Sequence, residues 1–181
     1  MLRFPTAFAA LDFETASYDA TSVCAIGVVR VERGAIVARQ AELVRPPSRE
    51  FRFTHVHDIR WRDVASMPSF AEAWRSVAPL FEGVELIAAH NASFERRVLT
   101  ACAERFGVRA PRAPFECTMM LARRTWNLRP TKLSDVAAFL DIPLRHHDPL
   151  SDAEASARIV LAVHRGIRCQ NLDAWASRTR A

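Results

Sequence analysis

The chain has 181 residues, half of them hydrophobic, which is long enough to bury one sizeable core and short for two. Its formal charge of +5 is compatible with a polyanionic partner and excludes an acidic solvating chain, but with Lys132 as the only lysine this balance is a weak vote for nucleic acid. Cys24, Cys102, Cys117 and Cys169 show no C-x-x-C pairing, which excludes a zinc-finger framework, and no apolar run reaches the roughly 18 residues of a membrane span. The N-terminal stretch meets acidic residues too early for a secretory signal. The expectation is therefore a cytoplasmic protein with free thiols and no membrane partner: one domain over 1–170 and a dispensable tail over 171–181.

In chain order, "FAALDFET" is predicted as a buried strand. Side chains alternate along a strand, so Asp12 and Glu14 share one face while Leu11 and Phe13 take the other. Two acids about 6 to 7 Å apart beside a core repel and lose hydration unless a proton, an arginine or a cation offsets them. After the polar loop "TASYDATS", two β-rich runs meet at a turn over Glu32, Arg33 and Gly34, which predicts an antiparallel meander. In "PSFAEAWRSVAPLFEG" the period becomes helical, with Phe70, Trp74, Val77, Leu80 and Phe81 on one stripe and Gly83 as the stop.

A short apolar strand, "VELIAAHN", comes next, then a helix, "SFERRVLTACAERFG", with Phe94, Val98, Cys102 and Phe106 on one face. Asn91 or Ser93 is placed to cap that helix, and the helix dipole accounts for Glu95 in its first turn. The run "FECTMMLARRTW" fits strand and helix alike. Two further helices are predicted in "TKLSDVAAFLDIP" and "SDAEASARIVLAVHRGI", with the loop "LRHHDPL" between them. Ser151 and Glu154 spell an S-x-x-E capping box that sets Asp152 in a first helical turn. Three strands, then alternating helix and strand, then helices, make a mixed-sheet α/β pattern covered by helices.

Asp12, Glu14, Glu95 and Asp152 each have a local structural explanation, as does a solvated His147. Their joint placement is harder to explain locally. Acids at strand ends and helix starts, with an imidazole on the loop five residues before Asp152, suit a two-metal phosphodiesterase centre. His147 is the candidate to take a proton from the attacking water.

"LDFET", "HNASFE" and "HDPLSDA" resemble the three motifs of the DEDDh 3′→5′ exonucleases of the DnaQ-like superfamily, in order and spacing, over roughly positions 7 to 165. The resemblance implies an RNase H-like fold with a five-stranded mixed sheet flanked by helices. It also implies metal-dependent release of nucleoside 5′-monophosphates from 3′ ends. On that likeness Asp12, Glu14 and Asp152 match metal-holding positions for two divalent cations, Mg²⁺ with Mn²⁺ as a substitute, and Asp12 bridges both. His147, rather than His146, matches the general base. Phe13 and Thr15 fall beside the terminal nucleotide, and His90, Asn91 and Phe94 shape the pocket. Glu95 stands where the family has aspartate, one methylene longer, which puts the second metal in question. The implied partners are single-stranded DNA or RNA 3′ ends, DNA first, with a DNA polymerase subunit as a further candidate. An RNA-trimming enzyme and a non-catalytic binding module are the alternatives.

Other candidates weigh less. His55 and His57 share a face only if their segment is a strand, and a third ligand is missing. Trp74 is assigned to the core; Trp61, Trp126 and Trp175 fit either core or base stacking. Arg96, Arg97, Arg123 and Arg124 could meet phosphates or face solvent. With five glycines there is no glycine-rich phosphate loop.

Overall fold

The structure, a computed structural model, describes residues 5–166; Cys169, Trp175 and the proposed 171–181 tail lie outside the described residues. Strands β1 (Ala7–Thr15), β2 (Val23–Glu32) and β3 (Ala35–Leu43) form the antiparallel meander. The predicted turn closes it through Arg33 at φ 49° and Gly34 at φ 79°, the left-handed pair that matches strand twist. Two short strands, β4 (Ile87–Ala89) and β5 (Phe115–Cys117), then run parallel to β1 and give the order β3-β2-β1-β4-β5. This is the five-stranded mixed sheet implied by the family resemblance.

Alternation along β1 decides what lies on each side of the sheet. Ala9, Leu11 and Phe13 face α3 (Phe70–Val77) and α4 (Ala92–Phe106), packing with Phe70, Trp74, Val98 and Cys102. Phe8 and Ala10 face α7 (Pro149–His164) through Ala153, Ala157 and Val160. Asp12 and Glu14 continue that second set, so they share the α7 side. A third cluster joins α5 (Thr118–Trp126) and α6 (Leu133–Phe139) to the outer side of α7 through Trp126, Phe139 and Ile159.

Gly27 fixes how close α7 comes. It pairs with Asp12 across β1 and β2, and a Cβ added to it would lie 2.0 Å from the Pro149 carbonyl oxygen. Only a residue without Cβ admits the helix start there.

Several local expectations are corrected. The S-x-x-E capping box does not form, because Asp148 caps α7 three residues earlier, its carboxylate accepting from Leu150 N–H and Ser151 N–H with Pro149 at the first helical position. Ser151 Oγ instead accepts from Arg145 N–H, and Glu154 takes Arg39 and Arg158. The segment around His55 and His57 holds two single-turn helices, α1 (Thr54–His57) and α2 (Trp61–Val64). The H-x-H reading needed a strand. His57 is buried and donates Nε2–H to the Thr15 carbonyl. The ambiguous run divides at Cys117 into β5 and α5, and the helix after Phe70 tightens to a 3₁₀ turn at Ala78–Phe81, where Pro79 removes a donor. Trp74 lies in the core as expected.

Candidate active site

Asp12 and Glu14 project from the C-terminal half of β1 on the α7 side, and Asp152 sits in the first turn of α7, carried there by the close approach over Gly27. One carboxylate oxygen from each of the three lies within 4.8 Å of the other two. Glu95, in the first turn of α4, lines the same cavity with Phe13, His90, Phe94, Lys132, His146 and His147. The four acids that the sequence singled out thus converge beyond the carboxyl ends of β1 and β4, where α/β folds place ligands.

The cluster is costly as it stands. Burial, then the charges of Glu95, Asp152 and Glu14, push the Asp12 carboxyl well above the ordinary range. Burial followed by the Asp152 charge raises Glu14 to about 8, and burial raises Glu95 to about 8 against backbone hydrogen bonds that pull the other way. Burial also raises Asp152. Glu95 Oε2 and Asp152 Oδ1 are buried with no hydrogen-bond partner among the described residues, although orphaned buried oxygens are rare in folded proteins. A hard cation takes carboxylate oxygens and offsets their charge, so this donor set fits a divalent metal.

Without metal, stability should therefore fall as pH rises. Glu14 and Glu95 hold protons up to about pH 8 in the folded chain but only to 4.5 when unfolded, so their contribution is complete below 4.5 and gone above 8. Melting in EDTA at pH 5 and pH 8.5, for wild type and for Glu95→Gln, checks this. The variant's curve should be the flatter, and Mn²⁺ should restore the wild type at high pH. Equal pH slopes for the two proteins would contradict the assignment.

Both loop histidines reach the site. His147 at φ 69° donates its backbone N–H to Asp152 Oδ2 at 3.1 Å, and its Nδ1 lies 3.9 Å from Glu14 Oε1. Burial, then the neighbouring His146, lowers the pKa of its ring. His146 Nδ1 is 3.0 Å from Asp152 Oδ2, and the two imidazoles stack at 3.9 Å between centroids. Sequence reasoning missed the His146 contact; adjacency to His147 was the only signal, and strand-like alternation would have sent the two rings apart.

The remaining expected residues divide. Phe13 and Phe94 line the cavity, and so does His90, whose ring is already held by the Thr131 carbonyl at 3.0 Å and the Thr118 hydroxyl at 2.9 Å. Thr15 lines a neighbouring cavity with Phe94, Tyr18, Phe53 and Arg97. Asn91 borders neither of these cavities. It starts α4 at φ 65° and uses its side-chain oxygen to accept from the Ser93 hydroxyl. Lys132, which carried no sequence signal beyond being the only lysine, lines the same cavity as the carboxylates.

A converging set of buried carboxylates, with histidines at the rim and at the open end of this five-stranded sheet, defines a nuclease of the RNase H-like class. The RNase T exonuclease family matches residues 9–160, and the chain belongs to that family, within the DnaQ-like exonucleases. It is 32% identical over 162 residues to the PolC-type DNA polymerase III of Thermotoga petrophila, which covers 85% of this chain but 12% of that polymerase. It is 30% identical over 180 residues to exodeoxyribonuclease 10 of Escherichia coli, covering 94% of this chain and 72% of that enzyme. The solved structure of exonuclease X in complex with 5′ overhanging duplex DNA superposes with a TM-score of 0.67 at 26% identity, covering 93% of this chain and 98% of the other. Exonucleases of this kind are metal-dependent. Among the described residues, no helix is long and apolar enough to cross a membrane.

Proposed function

We propose that this chain is a metal-dependent 3′→5′ exonuclease that releases nucleoside 5′-monophosphates from single-stranded or frayed DNA ends. The observation that carries the reading is the convergence of Asp12, Glu14, Asp152 and Glu95, with two buried oxygens that have no hydrogen-bond partner among the described residues. DNA is favoured over RNA because the similar PolC-type polymerase and exodeoxyribonuclease 10 are DNA enzymes by name.

Asp12, Glu14 and Asp152 would hold the cations, with Glu95 completing the set. When bound, two Mg²⁺ or Mn²⁺ ions supply Lewis-acid charge at the scissile phosphate and lower the pKa of water there. His147 takes the proton of the attacking water as the new phosphorus–oxygen bond forms and the bond to the preceding 3′ oxygen breaks. Its lowered pKa leaves the imidazole neutral and able to accept, and its backbone tie to Asp152 holds it at the rim. Phe13 and Phe94 offer apolar walls to the terminal nucleotide, with Thr15 beside them, while Asn91 and His90 set the shape of the β4–α4 junction. Glu95 reaches its position from the first turn of α4, and its longer side chain is accommodated by burial against β1.

His147→Ala should lower the single-turnover rate roughly 10²- to 10⁴-fold, the usual loss on removing a general base. His146→Ala should cost less, since His146 orients Asp152 and does not touch the water. A larger loss for His146→Ala would exchange their roles. The reading as a whole is tested with 5′-labelled single-stranded DNA and RNA oligomers in Mg²⁺ or EDTA. A metal-dependent ladder shortening from the 3′ end, faster on DNA, is expected; shortening from the 5′ end, or none, would refute it.

A further inference from the structure

Beside the carboxylate cavity lies a second one, of about 350 Å³, between α5 and the segment leading into α6. Arg123, Arg129 and Lys132 line it with His90 and Thr131, and among the described residues no carboxylate does. His90 and Lys132 line both cavities, so the cationic space adjoins the acidic one.

The frame of this cavity is built. Thr131 is 4% exposed; its carbonyl holds the His90 ring, and its hydroxyl accepts from Arg123 Nε at 2.8 Å. That bond aims the Arg123 guanidinium while leaving most of its fork available, apart from a long contact of Nη1 to Met120 Sδ. Arg129 and Lys132 are exposed and make no ion pair among the described residues; nearby Asp135 is engaged by the Lys132 backbone N–H. The adjacent Arg124 differs, being paired with Glu116. Three cations that make no ion pair among the described residues, set next to four carboxylates, form a site for a strong anion, and guanidinium forks match phosphate oxygens.

We propose that Arg123, Arg129 and Lys132 form a phosphodiester-binding subsite that grips the nucleic-acid backbone next to the metal-holding carboxylates. The proposal rests on the exonuclease reading above. Two sources share the chemistry: a phosphate further along the strand being cut, or one on the complementary strand of a duplex with a recessed 3′ end.

The test compares wild type, Arg129→Ala and Arg129→Lys on three substrates: a single-stranded oligomer, a duplex with a recessed 3′ end, and the p-nitrophenyl ester of thymidine 5′-monophosphate, which carries one phosphate. A charge-assisted hydrogen bond is at stake, so kcat/KM for oligomers should fall about tenfold more than for the ester in Arg129→Ala. The loss should sit in KM, the salt dependence should become shallower by about 0.7 to 0.9 in log–log slope, and Arg129→Lys should recover part of it. Equal loss on both oligomers identifies the strand being cut, whereas loss concentrated on the duplex identifies the complementary strand. Equal losses on ester and oligomers, or unchanged KM and salt slope in Arg129→Ala and in Arg123→Ala/Arg129→Ala, would overturn the subsite. If wild type hydrolyses neither ester nor oligomer, the exonuclease reading has failed. Oligomer binding in EDTA, followed by fluorescence anisotropy, then still decides the subsite, which requires about tenfold weaker binding by Arg129→Ala.

Discussion

Asp12→Asn should abolish hydrolysis, by more than about 100-fold, while the metal-free protein melts no lower than wild type. Loss of groups that merely orient metal ligands already costs about 10- to 100-fold, and Asp12 sits inside the trio of carboxylates itself. The stability side has the opposite sign from an ordinary buried-polar substitution. Asp12 faces the charges of Glu95, Asp152 and Glu14 while losing hydration, so a neutral isostere relieves repulsion. Activity on a labelled oligomer and melting in EDTA at pH 8 together check this. Retained activity would remove Asp12 from the chemistry, and a large drop in melting temperature with activity retained would make it a structural acid.

Gly27→Ala should be damaging at a distance, although Gly27 carries no chemistry. The added carbon would fall 2.0 Å from Pro149 O and 2.6 Å from Leu150 N, both backbone atoms that no rotamer change moves aside. Relief requires α7 to retreat from β2, and Asp152 and the backbone tie to His147 retreat with it. Overpacking of this kind costs about 1–3 kcal/mol, and displacement by about 1 Å at a reacting centre costs on the order of 100-fold in rate. Gly83→Ala is the contrast: nothing lies near its missing carbon, but its φ of +67° strains any L side chain by about 1–2 kcal/mol. That variant should lose stability and keep its turnover. Comparable rate losses in the two variants would mean that α7 is not positioned through Gly27.

The part of the site that rests on local periodicity was legible. Alternation in "ALDFET" put Asp12 and Glu14 on one face, and the order of strands and helices gave the mixed sheet. What depends on how elements meet was not. Gly27 reads as one more small residue in an apolar strand until Pro149 is seen above it. The start of α7 was misplaced because Asp148 followed by Pro149 outcompetes Ser151 as a cap, a contest that a motif match does not weigh. His146 touches Asp152 and Lys132 lines the carboxylate cavity from a loop and an inter-helix segment without periodicity, so neither had a pattern to show. The choice between DNA and RNA lies in pocket dimensions around a 2′-hydroxyl, which residue types alone do not encode.

Whether these carboxylates are held together for a cation is decided most directly by titrating Mn²⁺ calorimetrically into the wild type and Asp12→Asn at pH 7, in two buffers of different protonation enthalpy. Saturable binding with net proton release is the predicted wild-type result, because Glu14 and Glu95, raised to about 8, carry protons that a metal must displace. Asp12→Asn should lose that binding. Wild-type protein that takes up no Mn²⁺, or the same binding with the same proton release in both proteins, would contradict the metal centre and the nuclease mechanism built on it.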